Sequence, residues 1–221
     1  MKDERWQEVD DFVEVTFALR DDELESVLAT SALAGLPAIN VAANQGKLLE
    51  LLARSIGARR ILEIGTLGGY STLWLARALP EEGELVTLEF DPKHAAVARA
   101  NFAAAGRSST IRVIEGVGGD SLAHLIDTGE APFDFIFIDA DKEGYVEYFS
   151  LSMQLAHPGT MIVADNVVRA GAVADPNNED PRVQGVRRFL EAVATDERVS
   201  ATVVQTVGTK GYDGLAFVLV R

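Results

Sequence analysis

Cysteine is absent from the chain, which removes disulfides, thiolate metal sites and cysteine nucleophiles from consideration. No apolar run approaches the length of a membrane span, and the opening MKDERWQEVDD has no apolar leader core; a soluble, cytoplasmic protein is expected. Basic residues are scarce beside acidic ones, 20 Lys and Arg against 34 Asp and Glu, for a net charge of −14. That imbalance argues against a large nucleic-acid footprint and for a small-molecule partner. Histidine is limited to His94, His124 and His157, scattered over helix and loop positions and read as ordinary surface residues.

What is present is enough for a full core. A chain of 221 residues, 48% of them hydrophobic, needs no second domain. The expected organisation is one domain over 1–221, with 1–57 a helical extension serving as a lid or a subunit contact, or else simply covering one face of the sheet. Residues 4–19 place Trp6, Val9, Phe12, Val13 and Phe17 at helical intervals, and a second helix is predicted from Asp21 or Asp22 towards Gly35. A third, capped around Asn44 and closed by Gly57, is predicted to turn Leu48, Leu49, Leu51 and Leu52 inward.

From residue 59 onward short apolar runs alternate with helical segments. ARRILEIGTLGGYS gives a strand, a glycine turn and a helix start; ELVTLEFD, TIRVIEG, PFDFIFIDADK and HPGTMIVADNVV give four further strands. The last runs, around Gly208, Gly211 and Gly214, read as a hairpin with at least one antiparallel edge strand. The expected fold is α/β, a mostly parallel sheet covered by helices on both faces, with ligands at the carboxyl ends of its strands.

The turn at Gly65–Gly69 lets a ligand approach the backbone and offers a helix N-terminus to a polar or anionic molecule. Its GTLGG pattern is not GxGxxG, so NAD is not the first candidate. Glu63 stands inside the strand before that turn, where a carboxylate needs a partner. Glu89 ends the second strand, at an interval from Gly65 that suits a ribose diol. Asp139 closes one strand and Asp165 with Asn166 the next; two carboxylates and an amide carbonyl suit Mg²⁺, with Mn²⁺ or Ca²⁺ as alternatives. The competing reading is structural, with Asp139 or Asp141 capping a helix and Asp165–Asn166 making a turn. Lys142, three residues beyond Asp139, is placed to act as a general base beside a cation. Tyr145, Tyr148 and Phe149 read as core.

EIGTLGGYS, TLEFDP, FIDADK and ADNVV, in that order, resemble the cation-dependent O-methyltransferases of the catechol and caffeoyl-coenzyme A class, most closely the small bacterial members. The resemblance covers residues 37–221 and implies a Rossmann-like methyltransferase fold, a seven-stranded sheet with one antiparallel strand. It further implies S-adenosylmethionine as methyl donor, a divalent cation, a vicinal dihydroxy aromatic acceptor and a homodimer. By resemblance Asp139, Asp165 and Asn166 are the metal ligands and Lys142 the base. Val41, Glu63, Gly65, Thr66, Ser71, Glu89, Val117, Gly118 and Asp141 fall at donor-contacting positions. Val168-Arg169-Ala170 stands where plant members carry tryptophan and asparagine, so the acceptor wall differs. Two other activities stay open, methylation of a modified tRNA base and a nicotinamide-dependent oxidation, and so does a non-enzymatic binding role.

Overall fold

The computed structural model describes residues 4–221. Its centre is a seven-stranded sheet: β1 (Arg60–Ile64), β2 (Glu84–Glu89), β3 (Ile111–Glu115), β4 (Phe133–Ile138), β5 (Ala156–Ala164), β6 (Val199–Gly208) and β7 (Gly211–Val220). The spatial order is β3-β2-β1-β4-β5-β7-β6. β1 to β5 pair in parallel, and β7 runs antiparallel to both β5 and β6. The inner strands read as unbroken apolar runs because both faces are covered. Alternation along each strand divides the core: Leu62, Ile64, Val86, Ile136 and Ile138 pack on one face, and Ile61, Leu85, Phe135 and Phe137 on the other.

The first face is covered by α6 (Gly118–Asp127), α7 (Tyr145–Ser152) and α8 (Pro181–Thr195), the second by α3 (Ala43–Ser55), α4 (Tyr70–Ala76) and α5 (Pro92–Ala104). The chain winds outward from β1 through β2 to β3 and returns to β4. The order therefore reverses between β1 and β4, where an open parallel sheet leaves a crevice at its carboxyl edge. Gly65 sits at that reversal with φ +98°, and a Cβ there would meet the Asp139 carbonyl oxygen at 2.1 Å. Only glycine fits such an approach.

α1 (Glu4–Thr16) and α2 (Asp22–Leu33) precede α3. Two expectations are corrected here, both on α3, and α1 shows which of its sides faces inward. In α1 the acidic side is the inner one: Asp10 and Glu14 are buried, while Val9 and Phe12, and Phe17 just past the helix end, are exposed. The reason is that Asp10 accepts hydrogen bonds from the Thr209 N–H of the β6–β7 turn (2.7 Å) and from the Asn44 amide (2.8 Å). Asn44 is thus a cross-link within the first turn of α3, whose N-cap is Ala42. Of the four leucines of α3, Leu49 is buried while Leu48 and Leu51 are 37% and 51% exposed. Residues 48, 49, 51 and 52 span more of the helix than one inward stripe; Gly46, Leu49, Glu50 and Ala53 follow the helical period and take it.

Candidate active site

The strand tips gather two sets of polar groups. At the tips of β1 and β2 the Glu63 carboxylate is wholly buried and accepts hydrogen bonds from Ser71 Oγ (2.6 Å), Thr72 Oγ1 and Thr87 Oγ1 (2.7 Å). Burial drives its carboxyl up to about 7 against the pull of these three hydroxyls, with the Asp139 charge adding to the rise. Glu89 Oε2 accepts from the Thr66 and Leu67 N–H groups (3.1 and 2.7 Å), which fixes the glycine turn to the end of β2. Its Oε1 accepts from the Asp91 N–H at 2.9 Å. His94 Nδ1 lies 3.5 Å from Glu89 Oε1, and His157 Nε2 lies 2.9 Å from Asp134 Oδ1; both are partly exposed side chains, each beside an acid.

Further along, Val117 caps α6 without a side-chain hydrogen bond, and a Cβ on Gly118 would touch the Tyr148 ring at 3.0 Å. The Tyr148 hydroxyl donates to Asp141 Oδ1. Asp141 Oδ2 accepts from the Gly144 N–H at 3.1 Å. Asp141 therefore caps the short 3₁₀ turn Lys142–Gly144, while Asp139 is left for the cleft. Val41 is buried, and its carbonyl accepts from the Asn40 amide.

The second set lies at the tips of β4 and β5. Ladder hydrogen bonds continue one residue past each strand, from Asp139 N–H to the Ile64 carbonyl (2.9 Å) and from Asp165 N–H to the Ile138 carbonyl (3.0 Å). The two acids thereby come side by side. Asn166 holds φ +56°, a conformation asparagine tolerates, and its N–H donates to Asp165 Oδ1 at 2.6 Å. Its amide nitrogen faces the same oxygen (3.1 Å), and its carbonyl oxygen takes no hydrogen bond among the described residues. Lys142 is buried, with Nζ 2.9 Å from Asp139 Oδ1 and 2.7 Å from the Tyr145 hydroxyl. Burial first, and then the Asp139 charge, raise the Asp165 carboxyl to about 7, opposed by the Lys142 ammonium.

Three site residues escaped the sequence reading. Tyr145 is fully buried, as a core residue is, but its hydroxyl donates to the Asp165 carbonyl at 2.9 Å and receives from Lys142. A tyrosine rather than phenylalanine three residues after the lysine was the available signal. Gln45 Nε2 donates to Asp165 Oδ2 at 2.5 Å from the other end of the chain, and Asp213 Oδ1 accepts from the Val168 and Arg169 N–H groups (3.0 and 2.9 Å). No local pattern announces either.

Known proteins share this arrangement of chain. A catechol O-methyltransferase of Niastella koreensis is 49% identical over 221 residues, covering 100% of both chains. An O-methyltransferase from Bacillus cereus, solved in complex with S-adenosylhomocysteine, superposes with a TM-score of 0.97 at 51% identity, covering 99% of each chain. TomG of Streptomyces achromogenes, solved with S-adenosylmethionine, gives 0.95 at 48% identity, covering 100% of this chain and 99% of that one. With such relatives the nicotinamide alternative is set aside. The O-methyltransferase family profile matches residues 17–219, and the chain belongs to that family.

Proposed function

We propose that the protein transfers a methyl group from S-adenosylmethionine to one oxygen of a small vicinal dihydroxy aromatic compound, with a divalent cation at Asp139, Asp165 and Asn166. The observation that carries this reading is the pairing of two carboxylates on adjacent strand tips, with the Lys142 ammonium 2.9 Å from one of them. Among the described residues no third acid, histidine or cysteine joins them. Two acids and an amide carbonyl form a hard, all-oxygen donor set. Asp165, raised by its own burial and by Asp139, is the carboxylate that an added cation would relieve. Bound there, Mg²⁺ would lower the pKa of an acceptor hydroxyl and hold both acceptor oxygens.

The chain's own residues do the rest. Thr66, Leu67 and Glu89 shape the turn against which the donor lies, and Glu63 fixes Ser71 and Thr72 at the start of α4. Phe90 and Val117, exposed at adjacent strand tips, offer apolar surface for a flat base. The acceptor oxygen forms its bond to the methyl carbon as the carbon–sulfur bond breaks and the electron pair passes to sulfur; Lys142 Nζ takes the hydroxyl proton once its ammonium has released one to solvent. Orientation and charge compensation supply most of the acceleration.

The reading includes a homodimer, supported by the apolar residues that α1 and the neighbouring strand β6 leave exposed: Val9, Phe12, Val15, Phe17, Val203 and Val207. The deciding experiment is mass spectrometry of products from a catechol panel and from total tRNA, with Mg²⁺ and with EDTA. Methylated catechols that vanish with EDTA are expected. Donor binding without catechol turnover would overturn the acceptor, and methylated tRNA in its place would select the alternative.

A further inference from the structure

Just beyond the tip of β5 one arginine has a buried guanidinium nitrogen without a hydrogen-bond partner. Arg169 follows Asn166 by three residues and opens the short 3₁₀ segment Arg169–Ala174. Its Nε is buried without a hydrogen-bond partner, and no hydrogen bond or ion pair engages its guanidinium among the described residues. Asp180, whose carboxyl feels its charge, is already gripped by Arg182 Nε (3.0 Å) and Nη2 (2.7 Å). Removing a guanidinium N–H from water without a partner is unfavourable.

The backbone holds the side chain there at a cost. Arg169, Ala170 and Gly171 have φ of +55°, +54° and +88°, two of them non-glycine residues in a region that disfavours them. The Asp213 carboxylate secures this conformation through the Val168 and Arg169 N–H groups. α8 braces the same segment, with Arg187 Nη1 donating to the Val173 carbonyl at 2.6 Å. The same helix touches Lys142, since a Cβ on Gly185 would lie 2.2 Å from its carbonyl oxygen.

The order of the sheet decides which ligand this arginine meets. Donor-side groups occupy the tips of β3, β2 and β1, and the metal-ligand candidates those of β4 and β5. Arg169 comes after β5, on the side away from the donor. An acceptor with both oxygens at β4 and β5 must direct its remaining substituent away from the donor and so towards this segment.

We infer that Arg169 is a specificity residue that pairs with a carboxylate on the acceptor ring, making carboxylated catechols the preferred substrate class. The inference rests on the acceptor reading proposed above. A guanidinium fork matches a carboxylate with two parallel hydrogen bonds. On a chain of net charge −14 an anionic acceptor finds no general attraction, so its recognition must be this local.

The test compares kcat/KM for 3,4-dihydroxybenzoate and 4-methylcatechol, with saturating S-adenosylmethionine and Mg²⁺, in the native enzyme and in Arg169→Gln and Arg169→Lys. The native enzyme is expected to favour the benzoate. Its selectivity ratio should fall by about tenfold to a hundredfold in Arg169→Gln, through KM, and partly recover in Arg169→Lys. An unchanged ratio in Arg169→Gln, or no native preference, overturns the inference. If neither compound is methylated, the proposed activity fails separately, and calorimetric titration of 3,4-dihydroxybenzoate into protein loaded with S-adenosylhomocysteine and Mg²⁺ decides. Binding that weakens in Arg169→Gln sustains the inference, and binding that does not, or none, ends it. If Arg169→Gln fails to fold, Arg169→Lys takes over the comparison, a lowered ratio supporting the pairing and an unchanged one overturning it.

Discussion

The Lys142 ammonium lies 2.9 Å from Asp139 Oδ1, which joins the candidate base to a candidate metal ligand within one turn of chain. The Tyr145 hydroxyl fixes the other side of Nζ at 2.7 Å while donating to the Asp165 carbonyl. The lysine is thus oriented by Asp139 beyond β4 and, through Tyr145 of α7, by the Asp165 backbone beyond β5. Lys142→Met is expected to lower kcat by about a hundredfold or more with donor binding kept. Tyr145→Phe, which removes only the brace, should cost about 0.5–1.5 kcal/mol of stability and less activity. Steady-state kinetics, donor calorimetry and urea unfolding of both variants check the order.

Cation binding should be visible without turnover. A ligand that binds only the folded state raises the unfolding temperature with its concentration. Mg²⁺ titration is expected to raise the melting temperature of the native protein and to leave Asp165→Ala unmoved. Calorimetric melts in a chelator-treated buffer make the comparison. Equal shifts in both proteins would place the cation elsewhere.

The sequence shows the sheet because strand and helix periods alternate cleanly from Arg59 onward, and it shows Asp139, Asp165 and Asn166 because each ends an apolar run. It hides whatever depends on distant pairing. Gln45 meets Asp165 across 120 residues, and Asp10 reaches Thr209 across 199; neither partner is marked by local pattern. The inner side of α1 is hidden for the same reason. Its apolar spacing is helical, but which side faces inward is decided by the Asp10 contacts with the β6–β7 turn and Asn44.

Glu63 should leave a signature in the pH dependence of stability. Its carboxyl rises from the ordinary 4.5 to about 7, burial being the largest cause. The folded state therefore binds more protons than the unfolded one between these values, and stability falls as pH rises through that window. Below about 4.5 the group is neutral in both states, and above about 7 the penalty is complete. Urea unfolding at intervals from pH 4.5 to 7 should show a decline that becomes shallower in Glu63→Gln by the few kcal/mol this carboxyl contributes, the rest belonging to Asp165, which also rises to about 7. An identical slope in the variant would assign the decline to other groups.

The exposed side of α1 bears on assembly. Phe12 and Val15 are 68% and 82% exposed on a helix whose other side is anchored through Asp10, and Phe17, just past its end, is 70% exposed. Clustered apolar surface of this kind marks an interaction site. β6 exposes Val203 and Val207 beside it. Phe12→Asp adds a charge to that surface without touching Asp10 or the sheet, so the fold should persist while association weakens. Light scattering is expected to give twice the chain mass for the native protein and a mass falling towards one chain on dilution of Phe12→Asp. A native protein that scatters as a single chain at every concentration would remove the dimer and leave α1 free to serve as a cover for the cleft. Retained turnover in a monomeric Phe12→Asp would show, in addition, that each chain carries a complete site.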